Sequence, residues 1–165
     1  MKQYAIKAHG NIHPLSGIVA NNDFLTKSEY RVSLITSDVV DEMAAHCLPI
    51  IQRAINAPNF GNKTIEDVFY QLHQGTAQMW EIFNNNKIVG VAITKINQTP
   101  RLKYCLVWLC AGEKMHKWKH LISEIEEWAA SQHNCEKIVI RGRLGWEKIY
   151  QDYRKTNVVL EKKLR

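Results

Sequence analysis

The chain has 165 residues, a formal net charge of +6, 45% hydrophobic residues and 23% charged residues. This composition is ordinary for a globular protein of one domain, and the chain contains no low-complexity linker. No apolar run approaches the roughly 20 residues that a membrane span needs, and residues 1–9 lack the apolar core of a signal peptide, so we expect a cytoplasmic protein with no membrane contact.

The basic excess favours an anionic partner, such as a phosphate-bearing cofactor, an acidic protein or a nucleic acid. In the C-terminal part of the chain, however, the basic residues are interspersed with acidic ones and form no block. The sequence contains no zinc-finger, ribonucleoprotein or basic-helix pattern. A solvated basic face explains the net positive charge as well as a binding surface does. Nucleic-acid binding remains an alternative, supported by the charge and by no motif.

The cysteines predict buried thiols in a reducing compartment. None of them forms a Cys-x-x-Cys pair, and three lie in or beside apolar segments that read as strands. A disulfide framework is therefore not expected. The four cysteines are Cys47, Cys105, Cys110 and Cys135.

The first 30 residues show no sustained hydrophobic period and are punctuated by glycine, proline and asparagine. They carry apolar side chains, among them Ile6, Ile12 and Phe24, too frequently for a free disordered tail. We therefore predict an N-terminal arm over residues 1–30 that packs on the domain or on a partner. Residues 31–165 contain no internal repeat or linker and are predicted to form a single domain.

The domain is predicted to begin with a strand followed by a helix. Residues 31–36 alternate in polarity and are rich in β-branched side chains, which is typical of a strand. Ser37 or Asp38 is expected to cap the helix, whose apolar residues recur at helical spacing. Pro49 lies inside that pattern and is expected to kink or divide the helix near His46.

A second helix and an antiparallel meander are predicted next. Thr64 and Asp67 form the pattern of an N-terminal cap, which predicts a helix over residues 65–73 that ends near Gly75. An asparagine-rich turn then joins two strands, and a third strand follows after Pro100. The predicted strands of the meander are residues 77–83, 88–94 and 102–110.

The C-terminal part predicts a crossover unit. A turn at residues 111–113 leads into an amphipathic helix over residues 115–132, and a strand over residues 137–141 follows. Such a strand–helix–strand unit is usually parallel and right-handed, and the first N–H groups of its helix can receive an anion. A short helix over residues 144–153 and a last strand over residues 158–160 complete the domain.

This order of elements resembles the Gcn5-related N-acetyltransferase (GNAT) superfamily over residues 31–164. The hairpin over residues 80–94 is similar to the meander hairpin of the family. The segment Gly-Arg-Leu-Gly-Trp at residues 142–146, followed by Tyr150 and by Leu-Glu-Lys at residues 160–162, resembles GNAT-like proteins of tailed bacteriophages. The resemblance implies an α/β (α+β) fold with a mixed, mostly antiparallel central sheet, a parallel splayed strand pair and flanking helices.

The resemblance also implies where acetyl-CoA would bind. In the family, the strand before the crossover helix carries a bulge, the next strand splays away from it, and the pantetheine arm pairs with the bulged strand. The turn that follows holds the pyrophosphate. Carried onto this sequence, the cofactor-binding residues are Trp108, Leu109, Cys110, Ala111, Gly112, Lys114, Met115 and Lys117.

Two residues are candidates for catalysis. The resemblance implies that Tyr150, in the last helix, donates the proton to the leaving thiolate, and packing on the sheet is the alternative. Glu81 lies on a meander strand where some relatives keep a general base, and an ordinary strand charge is the alternative. His116 and His120 have a spacing that can hold a metal, but no third ligand accompanies them, so no metal site is expected.

The predicted pyrophosphate turn departs from the family pattern in ways that leave two functions open. It contains one glycine, Gly112, where the family has several, and Glu113 adds a negative charge that Lys114 and Lys117 could offset. The first hypothesis is a CoA-dependent N-acyltransferase with an unknown small-molecule or protein amine as acceptor. The second is a catalytically degenerate bacteriophage protein that serves as a virion component or binds a viral or host macromolecule through its N-terminal arm.

Overall fold

The computed structural model describes residues 29–57, 63–142, 145–156 and 162. Their strands form one sheet in the spatial order β1-β2-β3-β4-β5. The first three neighbouring pairs are antiparallel and the pair β4–β5 is parallel, which confirms the predicted mixed sheet. The strands are β1 (Tyr30–Ile35), β2 (Gln78–Asn84), β3 (Lys87–Gln98), β4 (Lys103–Gly112) and β5 (Lys137–Ile140).

Helices flank the sheet, and they occur in the order that the sequence predicted. One part of the crossover connection is a 3-10 turn, Lys119–Leu121, and the rest is α-helical. None of the helices in the described residues is long and apolar enough to cross a membrane. The helices are α1 (Val40–Ile55), α2 (Ile65–His73), α3 (Met115–Trp118), α4 (Ile122–His133) and α5 (Trp146–Ile149).

The sheet separates two apolar clusters, because side chains alternate across each strand. On the face that we call the first face, α1 and α2 cover residues such as Met79 and Val91. On the second face, α3, the 3-10 turn and α4 cover residues such as Trp80 and Ala92. Burial on both faces explains why β3 and β4 read as nearly continuous apolar runs in the sequence.

Local sequence signals determine two of the boundaries directly. Thr64 and Asp67 form the reciprocal capping box that starts α2, and Gly75, at a φ of 65°, follows its end. The β2–β3 hairpin turns at Asn85, whose φ of 53° lies in the left-handed region that asparagine tolerates. Both features confirm the sequence prediction.

Two details of α1 differ from the predicted division at Pro49 and from the predicted cap. Pro49 lies inside one continuous helix of 16 residues and does not divide it, although Pro49 offers no N–H to the carbonyl of Ala45. Burial of neighbouring residues such as Cys47 and Ile51 offsets that loss. The N-cap is Val39, without a side-chain hydrogen bond, so neither Ser37 nor Asp38 caps the helix.

Three boundaries differ in the C-terminal part. The strand β4 extends to Gly112, so Ala111 and Gly112 belong to the strand and not to the turn. The predicted crossover helix is divided at Trp118, whose φ of −121° departs from helical geometry. The last helix is shorter than predicted. The predicted strand over residues 158–160 and the N-terminal arm through residue 28 lie outside the described residues.

Candidate active site

The strand β4 contains a β-bulge at the point where its pairing with β5 ends. Neighbouring residues of β3, Ile93 and Thr94, pair with Leu109 and Val107 of β4, so Trp108 is the extra residue of a β-bulge. The last β4–β5 pair is Val107 with Ile140, and the N–H of Arg141 still reaches the carbonyl of Val107 at 3.5 Å. The strand β5 therefore leaves β4 at the point where β4 bulges.

Beyond this point, β4 offers one open edge. Residues 109–112 keep their partners in β3, while no strand of the described residues pairs with their other side. Such an edge presents backbone N–H and C=O groups that an extended ligand can pair with. The arrangement of bulge and splayed strand is the one that the sequence resemblance implied.

The end of β4 is shaped by Trp118. A Cβ added at Gly112 would lie 2.6 Å from the carbonyl oxygen of Val89 and 2.8 Å from the Trp118 ring, and one at Gly90 would lie 2.9 Å from that ring. The Trp118 indole N–H donates to the carbonyl of Glu113 at 2.7 Å. Gly112 is therefore required for close packing of β3, β4 and Trp118, a role that its position in the sequence did not reveal.

The turn itself exposes charged side chains. Lys114 has a φ of 51° and precedes α3, and its side chain is exposed together with those of Glu113 and Lys117. Met115 packs against the second-face cluster. A helix of four residues has a small dipole, so the side chains of Lys114 and Lys117 are the stronger candidates for contacting an anion here.

Tyr150 lies against the open part of β4 on the second face. It is 6% exposed, and with Cys110 it lines a void of about 10 Å³ whose other walls are apolar. Its hydroxyl donates to the carbonyl of Lys119 at 3.4 Å. Burial raises the pKa of Tyr150, with neighbouring Cys110 adding to the effect, so the phenol keeps its proton at neutral pH.

Contacts on both sides of Tyr150 attach α5 to the crossover connection. The ammonium of Lys119 donates to the carbonyl of Ile149 at 3.1 Å, and the Tyr153 hydroxyl donates to the carboxylate of Glu126. The Trp146 and Tyr150 rings stack at 5.7 Å. These contacts hold Tyr150 over β4. Trp146 ends the Gly-Arg-Leu-Gly-Trp segment that the sequence singled out, whereas no local sequence pattern identifies Lys119 as a site neighbour.

Glu81 lies on the first face of the sheet, away from Tyr150. It is fully buried, one of its oxygens accepts from the Cys47 thiol at 3.1 Å, and the other has no partner in the described residues. Desolvation raises the pKa of Glu81, against the lowering effects of Cys47, His46 and Arg31. Strand alternation places Glu81 on the opposite face from its neighbours Trp80 and Ile82. The two predicted catalytic residues are therefore not brought together.

No cluster of three His, Cys, Asp or Glu side chains that could hold a metal ion occurs in the described part of the chain. Both His116 and His120 are exposed.

Comparison with known proteins identifies the fold. No protein-family profile matches the chain, and no curated protein matches it significantly. Solved structures do match. An aminoglycoside acetyltransferase from an uncultured soil metagenomic sample superposes with a TM-score of 0.60 at 11% identity, covering 84% of this chain and 99% of its own. The protein has the GNAT fold.

Two further structures have the same fold. A GNAT family acetyltransferase of Staphylococcus aureus has a TM-score of 0.55 at 14% identity and covers 82% of this chain and 98% of its own. The aminoglycoside acetyltransferase AAC(6')-Iy, in complex with a CoA bisubstrate analogue, has a TM-score of 0.59 at 11% identity and covers 82% and 98%. At these identities the likeness shows the fold, and the bacteriophage resemblance stays a prediction from the sequence.

Proposed function

We propose that the protein is a CoA-dependent N-acyltransferase that acts on a primary amine. The observation that carries the proposal is the coincidence at Trp108 of the β4 bulge with the departure of β5. It leaves an open backbone edge with a buried tyrosine beside it, and the structural neighbours with this fold are acetyltransferases, one of them bound to a CoA bisubstrate analogue.

The residues present fit an acyl thioester of CoA in part. The open edge over residues 108–112 can pair with the amides of an extended pantetheine arm, and Lys114 and Lys117 can contact its phosphates. The void beside Tyr150, at about 10 Å³, is too small for a thioester. A thioester placed against Tyr150 therefore requires α5 to move away from the crossover connection.

Each chain residue has a defined task in this proposal. An acyl thioester supplies an activated acyl group and a thiol leaving group. The β4 edge orients the bound arm, which lowers the entropic part of the barrier. Tyr150 keeps its proton at the phenolic oxygen, which suits donation to a thiolate. Glu81 is 0% exposed, so the base role predicted for it needs a water path to the interior, and its assignment is the weaker of the two.

A second candidate function is favoured by the same small void. In this reading, Tyr150 occupies the space beside β4 and the Trp118 ring occupies the space next to Gly112. The protein would then be a catalytically degenerate binding module with the GNAT fold. The virion or macromolecular role that the sequence predicted for such a module concerns the N-terminal arm, which lies outside the described residues. Binding of acetyl-CoA discriminates the two functions.

The test is calorimetric titration of acetyl-CoA into the full-length protein at low and moderate salt, followed by an acyl-transfer assay with a panel of primary amines. We expect binding that persists at moderate salt. Replacing Tyr150 by Phe should retain acetyl-CoA binding and lower kcat by about 10²-fold or more, the contribution of a general acid. Absence of binding would reject the enzyme, and an unchanged kcat in Y150F would reject the role of Tyr150.

A further inference from the structure

Lys95 contacts the residue at which β4 bulges. It lies on β3, and its ammonium sits 3.8 Å from the centroid of the Trp108 ring. The same ammonium donates to the side-chain oxygen of Gln71 at 3.1 Å. Trp108 is the bulge residue at which β5 leaves β4. A primary amine is therefore fixed against the side chain of the bulge residue, from which the open edge of β4 begins.

The surroundings of Lys95 favour the neutral amine that acyl transfer needs. The side chain is half-buried, and burial lowers the pKa of Lys95, with the positive charge of Lys63 adding to the effect. A lysine that is desolvated and close to another cation is the activated form of this nucleophile. The Trp108 ring and Gln71 act in the opposite sense because they stabilise the cation, and the net direction is downward.

We propose that Lys95 is an acyl acceptor within its own chain: an acyl thioester of CoA bound along the β4 edge transfers its acyl group to the Nζ atom of Lys95. This inference rests on the proposed function. The neutral Nζ forms a bond to the thioester carbonyl carbon and the carbon–sulfur bond breaks. The proton that nitrogen loses goes to the sulfur, so the products are an N-acyl-lysine and free CoA thiol.

Acylation would change the site that performs it. An amide nitrogen carries no charge, so the contact of Lys95 with the Trp108 ring loses its cationic part. The acyl group would also add volume next to the bulge. The modified chain would present a different surface beside the cleft from the unmodified one.

The test incubates the purified full-length protein with acetyl-CoA and follows acetylation of each lysine by mass spectrometry of chymotryptic peptides. Lys87 is the internal control, because it is an exposed lysine on the same strand. We expect Lys95 to react about tenfold or more faster than Lys87, as a positioned intramolecular reaction should. Unfolding in urea, or an excess of CoA without an acyl group, should abolish the difference.

A conservative variant separates modification from structure. K95R keeps a cation on Trp108 and a donor to Gln71, so it should fold and bind acetyl-CoA as the wild type does while losing the fast-reacting site. If acetyl-CoA binds calorimetrically but Lys95 reacts no faster than Lys87, the inference is overturned and the proposed function stands. If acetyl-CoA does not bind, both are overturned.

Discussion

Glu81 is a carboxyl group in the protein interior, and its neighbours explain why it is tolerated. The Cys47 thiol donates to one oxygen, while the other has no partner in the described residues. An ionised carboxylate there would be strongly destabilising, so the neutral acid is the form that suits the site. Cys47 is affected in the same way, since burial and the Glu81 carboxyl raise the pKa of its thiol.

This burial predicts that stability falls as pH rises. The pKa of Glu81 is raised above its ordinary value of 4.5, so above that pH the unfolded chain loses the proton while the folded chain retains it. Unfolding then becomes more favourable by about 1.4 kcal/mol per pH unit until the folded-state pKa is reached. E81Q, which stays neutral, should remove this loss.

The measurement is urea denaturation of wild type and E81Q at pH 5 and pH 8. The difference in the free energy of unfolding between the two proteins should grow in favour of E81Q from the lower to the higher pH. E136Q, at an exposed position, serves as the control. A difference that does not change with pH would show that Glu81 is not neutral in the folded protein.

Gly112 is the second residue whose role is set by its contacts. A side chain there would meet backbone atoms, the Val89 carbonyl oxygen at 2.6 Å and the Gly90 Cα at 2.7 Å, and neither can move without displacing a strand. We expect G112A to lower the free energy of unfolding by about 2 kcal/mol, as overpacking does. Thermal or urea unfolding measures this.

The matched control for G112A is G145A, because a Cβ at Gly145 would meet no atom of the described residues within 4 Å. Wild-type stability of G112A would contradict the packing role and restore phosphate binding as the explanation for this glycine. Lost acetyl-CoA binding in a destabilised G112A would not by itself demonstrate a phosphate contact.

At the scale of elements, Pro49 lowers the stability of α1, and a substitution can measure the effect. Pro49 lies inside the helix and its side chain is exposed, so replacing it by Ala removes no buried contact. Alanine restores the N–H donor to the carbonyl of Ala45 and is favoured over proline in a helix interior by about 3 kcal/mol. Allowing for relaxation of the helix around proline, we expect P49A to raise the free energy of unfolding by about 1–3 kcal/mol.

The control for P49A is R53A, an exposed position one turn further along α1, which should change stability by less than about 0.5 kcal/mol. Both variants are compared with wild type by urea denaturation. A destabilised P49A would mean that α1 needs the local geometry that proline imposes in order to pack on the sheet.

At the scale of the whole molecule, α5 and the crossover connection hold each other beside Cys110 of β4. Lys119 donates to the Ile149 carbonyl and accepts from Tyr150 through its own carbonyl, so the two segments hold each other. In the proposed function, a thioester placed against Tyr150 displaces this contact. Part of its binding free energy is therefore spent on opening the site.

K119M should consequently bind acetyl-CoA more tightly than the wild type. The methionine keeps the length of the side chain and removes its hydrogen bond to α5, which contributes about 1 kcal/mol or less at an exposed position. The expected gain in affinity is up to about fivefold, measured by calorimetry. K148M, an exposed change on α5 itself, is the control, and weaker binding by K119M would indicate that Lys119 contacts the ligand.

Most elements were predictable because their signals are local. The capping box at Thr64 and Asp67, the asparagine turn at Asn85 and the alternation of β1 each depend on residues close in sequence, and the structure confirms them. The order of these elements implied the sheet and the splayed strand pair. Through the family resemblance, the sequence also predicted Tyr150 as a proton donor, and the structure places this residue beside Cys110 of β4.

Contacts between distant residues decided the rest. The sequence does not reveal that Trp118 fills the space next to Gly90 and Gly112, a contact that explains why position 112 is a glycine. Nor does it reveal that the crossover connection is divided at Trp118. It does not reveal that Glu81 faces Cys47, or that Lys95 lies on Trp108. The sequence by itself determined the elements and their order, whereas the tertiary structure alone decided which side chains meet, because strand register and the β4 bulge set those pairings across the sheet.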